Sequence, residues 1–131
     1  MLAAVQVKRL AAARLRDAMA LHAAGRYDGA VYMCGYSVEL ALKARICRTL
    51  KWSGFPEKDH EFKGMGSLKV HDLDTLLRFT GRETAVKTRL LAEWSAVAAW
   101  NPEARYKPIG SVTPGDAQLM LDSAAVLLRQ I

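Results

Sequence analysis

The sequence predicts an all-α protein: one domain of residues 1–131, folded as an up-down four-helix bundle with one short extra helix in the crossover connection. Two observations favour this fold. Apolar residues recur at helical spacing in four long segments, and no segment alternates between apolar and polar residues as a half-buried strand does. The connection between the first two helices is only a few residues long, which makes these helices antiparallel neighbours.

The first two helices form the predicted hairpin. The first covers residues 3–23, and Gly25 closes it because glycine readily adopts the left-handed conformation at a helix C-terminus. The second covers residues 26–46 and is apolar on two opposite faces. One face carries Val31, Cys34, Val38, Ala41, Leu42 and Ile46, and the other carries Met33, Leu40 and Cys47. A helix that is apolar on both sides is buried on both sides, so the second face predicts a homodimer.

The second half of the chain contains a loop and three further helices. Residues 51–70 show no periodicity and are predicted to form a long loop. Asp72 is placed to cap a short helix, and one continuous helix is predicted over residues 83–100. The last helix begins at Thr113, which is an N-cap residue followed by a proline at the first helical position.

The composition favours a polyanionic partner. The chain has 19 Lys and Arg against 13 Asp and Glu, a net charge of +6. This excess favours nucleic acid, and a charged surface that only maintains solubility explains it as well. Cys34 and Cys47 lie about 20 Å apart along one predicted helix and cannot pair, so a cytoplasmic protein is expected. No signal peptide, membrane association, metal site or cofactor is predicted.

Four charged residues are predicted to form a buried structural polar network. Arg14, Glu39 and Glu93 fall within otherwise apolar stripes of their helices, and Lys43 follows Glu39 by one turn. A buried charge without a partner costs several kcal/mol, on the order of 3–5. Pairing among these residues is therefore expected. A catalytic role for the network is the less favoured alternative.

The residues best suited to bind a nucleotide or RNA are Arg105, Tyr106 and Lys107, with Arg26 at the same end of the predicted bundle. Arginine offers a planar fork that matches a phosphate, and a neighbouring tyrosine can stack on a base. The alternative is that the aromatic side chains only seal the end of the bundle. A second basic group, Arg45 and Arg48 near the end of the second helix, either binds phosphate or only complements the helix dipole.

Three segments resemble the HEPN family of small all-α domains over most of the chain. They are Glu39-Leu40-Ala41-Leu42-Lys43-Ala44 in the second helix, His71-Asp72-Leu73 before a short helix, and Trp100-Asn101-Pro102-Glu103-Ala104-Arg105-Tyr106 after a long one. The family includes ribonuclease toxins, partners of small nucleotidyltransferases, and non-catalytic domains that bind nucleotides or RNA. The resemblance therefore implies an HEPN-like fold and a nucleotide- or RNA-binding function.

The ribonuclease motif of that family is missing at its usual place. Ribonuclease members carry an arginine followed four to six residues later by a histidine in the C-terminal half, and this chain has no histidine after His71. Arg16 and His22 match the spacing by accident, but on a helix they point about 120° apart. We therefore expect a non-catalytic binding domain of a toxin–antitoxin or nucleotidyltransferase-associated system. The alternatives are a dimeric structural adaptor that partners a small nucleotidyltransferase, and a ribonuclease with an atypical site.

Overall fold

The computed structural model describes residues 1–66 and 70–131, and helices dominate this part of the chain. The six α-helices of the described residues are α1 (Ala4–Ala23), α2 (Tyr27–Leu50), α3 (Leu73–Phe79), α4 (Glu83–Arg89), α5 (Leu91–Val97) and α6 (Pro114–Gln130). The described residues also form two 3₁₀ helices, Asp59–Phe62 and Pro102–Tyr106, and two short strands, β1 (Leu2–Ala3) and β2 (Gly54–Phe55). The predicted all-α fold is confirmed.

The predicted hairpin of α1 and α2 is confirmed, and so is the glycine that closes α1. Gly25 has a φ of +75°, the left-handed region that glycine enters without steric cost. The N–H of Arg26 donates to the carbonyl of Leu21 at 2.8 Å, and the N–H of Gly25 donates to that of His22 at 3.0 Å. These bonds satisfy carbonyls that the end of a helix would leave unpaired, and the chain reverses within three residues.

The central element is α2, which packs against α1, α3, α6 and β2. Val38, Leu42 and Ile46 are fully buried on its first apolar face. On its second face Cys47 is fully buried, and Met33 and Leu40 are half-buried against the core. This second face is therefore covered in part within one chain. It does not by itself require a second copy, so it no longer argues for a homodimer.

The continuous helix predicted over residues 83–100 is wrong, because α4 ends at Arg89 and α5 covers only Leu91–Val97. Leu90 lies between them with φ −127° and ψ 35°, outside the helical region. Val86, Trp94 and Val97 are all buried, so the two short helices still present one apolar stripe to the core.

The segment predicted as a structureless loop contains ordered elements. Residues 54–55 pair antiparallel with residues 2–3, with Leu2 opposite Phe55 and Ala3 opposite Gly54. A side chain at Gly54 would place its Cβ 2.5 Å from the carbonyl oxygen of Leu2, so the close approach of β1 requires a glycine. Residues 67–69 of the predicted loop lie outside the described residues.

The predicted start of the last helix is confirmed. The Oγ1 atom of Thr113 accepts a hydrogen bond from the N–H of Asp116 at 3.1 Å, and Pro114 occupies the first helical position. Threonine satisfies one of the free donors at the helix start, and proline has no N–H to leave unpaired. The helix that follows, α6, packs against α1, α2 and α5 and completes the bundle.

Glu39 forms a different set of contacts from the predicted polar network. It is only 3% exposed, and its two carboxylate oxygens lie 3.2 Å from Lys43 Nζ and 2.7 Å from His71 Nδ1. The Glu39–Lys43 pair was predicted, and His71 was not. The Nε of Arg14 instead lies 3.3 Å from Asp17, which is one turn away on α1. Glu93 is half-buried on α5 and forms no ion pair with a described residue.

Replacing Glu39 by alanine should lower the free energy of unfolding by about 2–4 kcal/mol, because Lys43 would lose its partner in a poorly hydrated site. The measurement is urea unfolding followed by circular dichroism. Glu83→Ala is the matched control, since Glu83 forms the same i, i+4 pair with Lys87 at 3.4 Å at the surface. That change should cost less than about 1 kcal/mol. Equal unfolding midpoints for Glu39→Ala and the parent would contradict the buried pair.

Candidate nucleic-acid interface

The candidate interface is organised by the contact of Trp100 with α2. The Trp100 ring is 7% exposed and lies directly over Gly35. A Cβ atom built on Gly35 would lie 2.0 Å from the ring, so any other residue would collide with the indole. The N–H of Trp100 donates to the carbonyl of Val97 at 3.0 Å, which turns the chain back towards α2 directly after α5.

Two tyrosines of α2 border the Trp100 ring. Tyr32 and Tyr36 are one helical turn apart, and their ring centroids lie 5.2 Å from each other in an edge-to-face arrangement. The ring centroid of Tyr36 lies 4.9 Å from that of Trp100, also edge to face. Burial raises the pKa of Tyr36 to about 12, with a further contribution from its hydrogen bond to Tyr32. We call Tyr32, Tyr36, Trp100, Arg105 and Tyr106 the aromatic–arginine cluster.

Arg105 reaches this cluster from the 3₁₀ helix Pro102–Tyr106. The side chain of Asn101 caps this helix by accepting a hydrogen bond from the N–H of Glu103 at 2.9 Å. The guanidinium carbon of Arg105 lies 4.7 Å from the centroid of the Tyr106 ring, within the range of a cation–π contact. Hydrogen bonds with Tyr106 and Tyr32 raise the pKa of Arg105, and those with Tyr36 and Arg105 lower the pKa of Tyr32. Arg105 therefore keeps its positive charge, and its guanidinium group stays exposed to solvent.

Tyr106 presents its ring to solvent. It is 72% exposed, although it belongs to the 3₁₀ helix that carries Arg105. An arginine stacked beside an exposed tyrosine offers hydrogen-bond donors for a phosphate. Within one side-chain length it is joined by a flat surface on which a base can stack. The alternative from the sequence, that the aromatic residues only seal the bundle, describes Trp100 but not Tyr106.

Lys107 and Arg26 are also exposed, and they border different hollows. Lys107 lines a hollow of about 280 Å³ beside Trp100. Arg26 lines one of about 460 Å³ beside Ile109. Among the described residues, no hydrogen bond or ring contact joins Arg26 to Arg105. The structure thus brings Arg105 and Tyr106 together, with Lys107 next in the chain, and places Arg26 in a separate hollow.

The loop between these hollows is attached to the start of α2 by Asp28. Its carboxylate accepts hydrogen bonds from the N–H of Gly110 at 2.7 Å and from the N–H of Val112 at 3.0 Å. A carboxylate with two backbone donors is a strong and directional anchor. The segment that follows Lys107 is therefore fixed relative to Tyr32, which is one turn further along α2.

The sequence did not identify Tyr32, Tyr36 and Gly35 as parts of this site. The available signal was the spacing Tyr32-x-x-Gly35-Tyr36, which places two aromatic rings one turn apart with a glycine beside them. A glycine inside a helix costs about 1 kcal/mol relative to alanine, so it indicates a close approach when it occurs there. The approaching residue, Trp100, lies 65 positions away and could not be deduced from the spacing.

The accidental ribonuclease spacing of Arg16 and His22 does not form a joint site. His22 packs edge to face against Tyr27 at 5.3 Å, and its Nε2 is buried without a hydrogen-bond partner in the described part of the chain. Arg16 is exposed. Within residues 1–66 and 70–131, no group of three or more His, Cys, Asp and Glu side chains is arranged to hold a metal ion.

Cys34 and Cys47 are both unpaired and buried. Burial raises the pKa of the Cys34 thiol to about 12 and also raises that of Cys47. None of the described helices is both long enough and apolar enough to cross a membrane.

The fold and the cluster define a small helical-bundle domain with an exposed arginine–tyrosine surface. The family model of the HEPN domain matches residues 4–130, nearly the whole chain, and the chain therefore belongs to the HEPN domain family. This family is associated with nucleotides and RNA. Comparisons with curated proteins and with solved structures found no match.

Replacing Gly35 by alanine should destabilise the protein by about 1–3 kcal/mol, because the new methyl would displace the Trp100 ring. The gain in helix propensity offsets at most about 1 kcal/mol of this. Urea unfolding gives the free energy, and the near-ultraviolet circular dichroism of the tryptophans reports the displaced ring.

Gly29→Ala is the control for that experiment, because Gly29 lies in the same helix and its nearest neighbour would be Leu21 at an ordinary 3.5 Å. Gly29→Ala should leave stability unchanged or raise it slightly. The same stability change in both variants would mean that Trp100 does not require the glycine.

Proposed function

We propose that this domain binds single-stranded RNA or a nucleotide at the aromatic–arginine cluster, without cleaving it. The observation that supports this most directly is the stacking of Arg105 on the exposed ring of Tyr106. The guanidinium can pair with a phosphate while the tyrosine ring stacks on a base. Lys107 adds a second positive charge next to both.

The rigidity of the cluster supports the same proposal. Tyr32 contacts Arg105 and is itself packed against Tyr36, and Asn101 caps the 3₁₀ helix that carries Arg105. A binding group whose conformation is already fixed loses less entropy when the ligand arrives. The net charge of +6 adds a long-range attraction for a polyanion that weakens as salt rises.

The absence of cleavage is proposed from the placement of the histidines. None follows His71, and the ring of His22 is packed against Tyr27. Loss of a general acid or base typically reduces a rate by about 10²- to 10⁴-fold. A binding role in a toxin–antitoxin or nucleotidyltransferase-associated system is the wider context that we propose.

Replacing Arg105 by alanine should weaken binding of a fluorescein-labelled single-stranded RNA by about tenfold, since stacking and phosphate contacts are each worth about 1–3 kcal/mol. Fluorescence anisotropy at low salt measures the affinity, and raising the salt concentration should reduce it. Arg89→Ala is the control, because Arg89 is exposed on α4 and its loss removes the same charge elsewhere.

The same RNA, analysed on a denaturing gel after incubation, should stay intact. Equal losses of affinity for Arg105→Ala and Arg89→Ala would show that the binding is nonspecific and depends only on charge. The absence of binding at low salt would leave the structural adaptor as the surviving function. Cleavage that disappears in His22→Ala would establish the atypical ribonuclease instead.

A homodimer is the second proposal, and it is supported by exposed leucines on α5 and α6. HEPN domains often dimerise. Leu91 and Leu119 are 60% and 59% exposed, and Leu119 borders a groove between α5 and α6. Ala92 and Val126 also line this groove, together with the acidic side chains of Glu93 and Asp122. Exposed apolar residues around a groove are typical of a surface that binds another protein. The same surface would serve a dimeric adaptor for a small nucleotidyltransferase.

Light scattering should report a mass about twice the 14.4 kDa of the chain. Leu119→Glu should convert the dimer to a folded monomer, because it places charges within an apolar interface. Met19→Glu is the control, since Met19 is equally exposed, at 57%, but lies on α1. A parent protein with the mass of one chain would exclude the dimer. Dissociation by Met19→Glu but not by Leu119→Glu would show that the interface lies on α1 instead.

A further inference from the structure

A groove of about 430 Å³ lies between α1, α2 and α6, near the C-terminal end of α2. Its interior is formed by small apolar side chains, among them Ala11 and Ala44, with Trp52 and Leu128 on its walls. The methyl groups of the alanines leave room where larger residues would close the space. Grooves of this volume with mostly apolar walls are the usual binding sites for small molecules.

The edge of this groove is basic. Lys8 of α1 and Arg45 and Arg48 of α2 line it, and no acidic side chain does. None of the three forms an ion pair with a residue in the described ranges. A basic edge without acidic side chains attracts anions.

Arg45 is the member of this edge that most needs a partner. Its Nε atom is buried and has no hydrogen-bond acceptor among the described residues. Burial and the neighbouring charges of Arg48 and Arg82 lower the pKa of Arg45. Arg82 donates through Nη2 to the carbonyl of Gln130 at the end of α6, so it is held close by. An anion in the groove would relieve the repulsion and satisfy the buried donor.

The apolar lining residues determine which kind of group the rest of the ligand carries. Besides the basic residues, the lining side chains are alanine, valine, leucine, isoleucine and tryptophan, which offer no hydroxyl, amide or carboxyl group. A nucleobase or ribose placed against them would lose its hydrogen bonds to water without replacement. An alkyl or aryl group has no hydrogen bonds to water to lose, and it gains apolar contact with Trp52.

We propose that this groove binds an amphiphilic organic anion: an alkyl or aryl group lies along the alanine floor and Trp52, and a phosphate or carboxylate pairs with Arg45, Arg48 and Lys8. This site goes beyond RNA binding and uses other residues. Arg48 follows Tyr32 by 16 positions on α2, about 24 Å along the axis. The two sites can therefore be tested separately.

Isothermal titration calorimetry at low salt tests the proposal with octyl phosphate, octanoate, inorganic phosphate, 1-octanol and adenosine monophosphate as probes. At least one of the two amphiphilic anions should bind at least about tenfold more tightly than the head group or the alcohol alone, because both parts of the ligand contribute. Whether the phosphate or the carboxylate binds better identifies the head group. Adenosine monophosphate should bind this groove more weakly than either.

Arg48→Gln should weaken the amphiphile by about tenfold, since one charge-assisted contact is lost. Ala44→Leu should weaken it as well, because it fills the floor. Arg16→Gln is the charge control, as Arg16 is exposed on α1 and does not line the groove. Arg105→Ala should leave amphiphile binding unchanged, so failure of this site and failure of the RNA site are distinguishable.

Several results would overturn the proposal. Inorganic phosphate binding as tightly as octyl phosphate would show only a basic patch. In the Arg105→Ala variant, tighter binding of adenosine monophosphate than of octyl phosphate would show that the groove is a nucleotide site. No binding of either amphiphile, or an equal effect of Arg48→Gln and Arg16→Gln, would also exclude the groove. A change of oligomeric mass in Ala44→Leu would show that a second copy covers it.

Discussion

The contact between the Trp100 ring and the bare backbone of Gly35 determines how the second half of the chain lies on α2. Trp100 comes directly after α5 and directly before the 3₁₀ helix that carries Arg105, so its position sets the direction of both. A glycine within a helix costs about 1 kcal/mol. Burying an indole of roughly 200 Å² contributes on the order of 5 kcal/mol, so the contact outweighs that cost. Tyr32 and Tyr36 then have a fixed surface to pack against, and Arg105 acquires its partners as a consequence.

Polar contacts fix the register of elements that apolar packing alone would leave free to slide. The carboxylate of Glu39 links α2 to His71, just before α3, while the buried Leu73 and Leu77 supply the apolar contact there. Trp94 donates from Nε1 to Asp74 at 2.9 Å, which links α5 to α3 in the same way. Leaving the buried carboxylate of Glu39 or the buried indole N–H of Trp94 without a partner would cost about 1–3 kcal/mol. These links therefore select one arrangement of helices among several with similar apolar burial.

Local signals predicted two helix ends, at Gly25 and Thr113, but the sequence did not reveal contacts between distant residues. Gly25 and Thr113 act within their own turns, so the residue type was enough to place them. The break at Leu90 has no proline or glycine in residues 83–100 to mark it, so no local pattern contains it. Glu39 was recognised as an inward charge, yet its partner His71 lies 32 positions away. The candidate site divides similarly: Arg105 and Tyr106 are neighbours in the sequence, whereas the tyrosines of α2 reach them only through the fold.

The two basic surfaces differ in environment more than in charge. Arg105 already has tyrosine partners and is exposed, so a polyanion gains there by stacking and by the release of counterions. Arg45 has a buried donor without an acceptor and two positive neighbours, so a single anion gains most there by neutralisation in a poorly hydrated groove. At about 0.1 M salt, interactions between exposed charges more than about 10 Å apart are largely screened, and interactions between partly buried charges are screened less. Ionic strength should therefore separate the two kinds of binding, because the surface at Arg105 weakens with salt more steeply than the groove at Arg45.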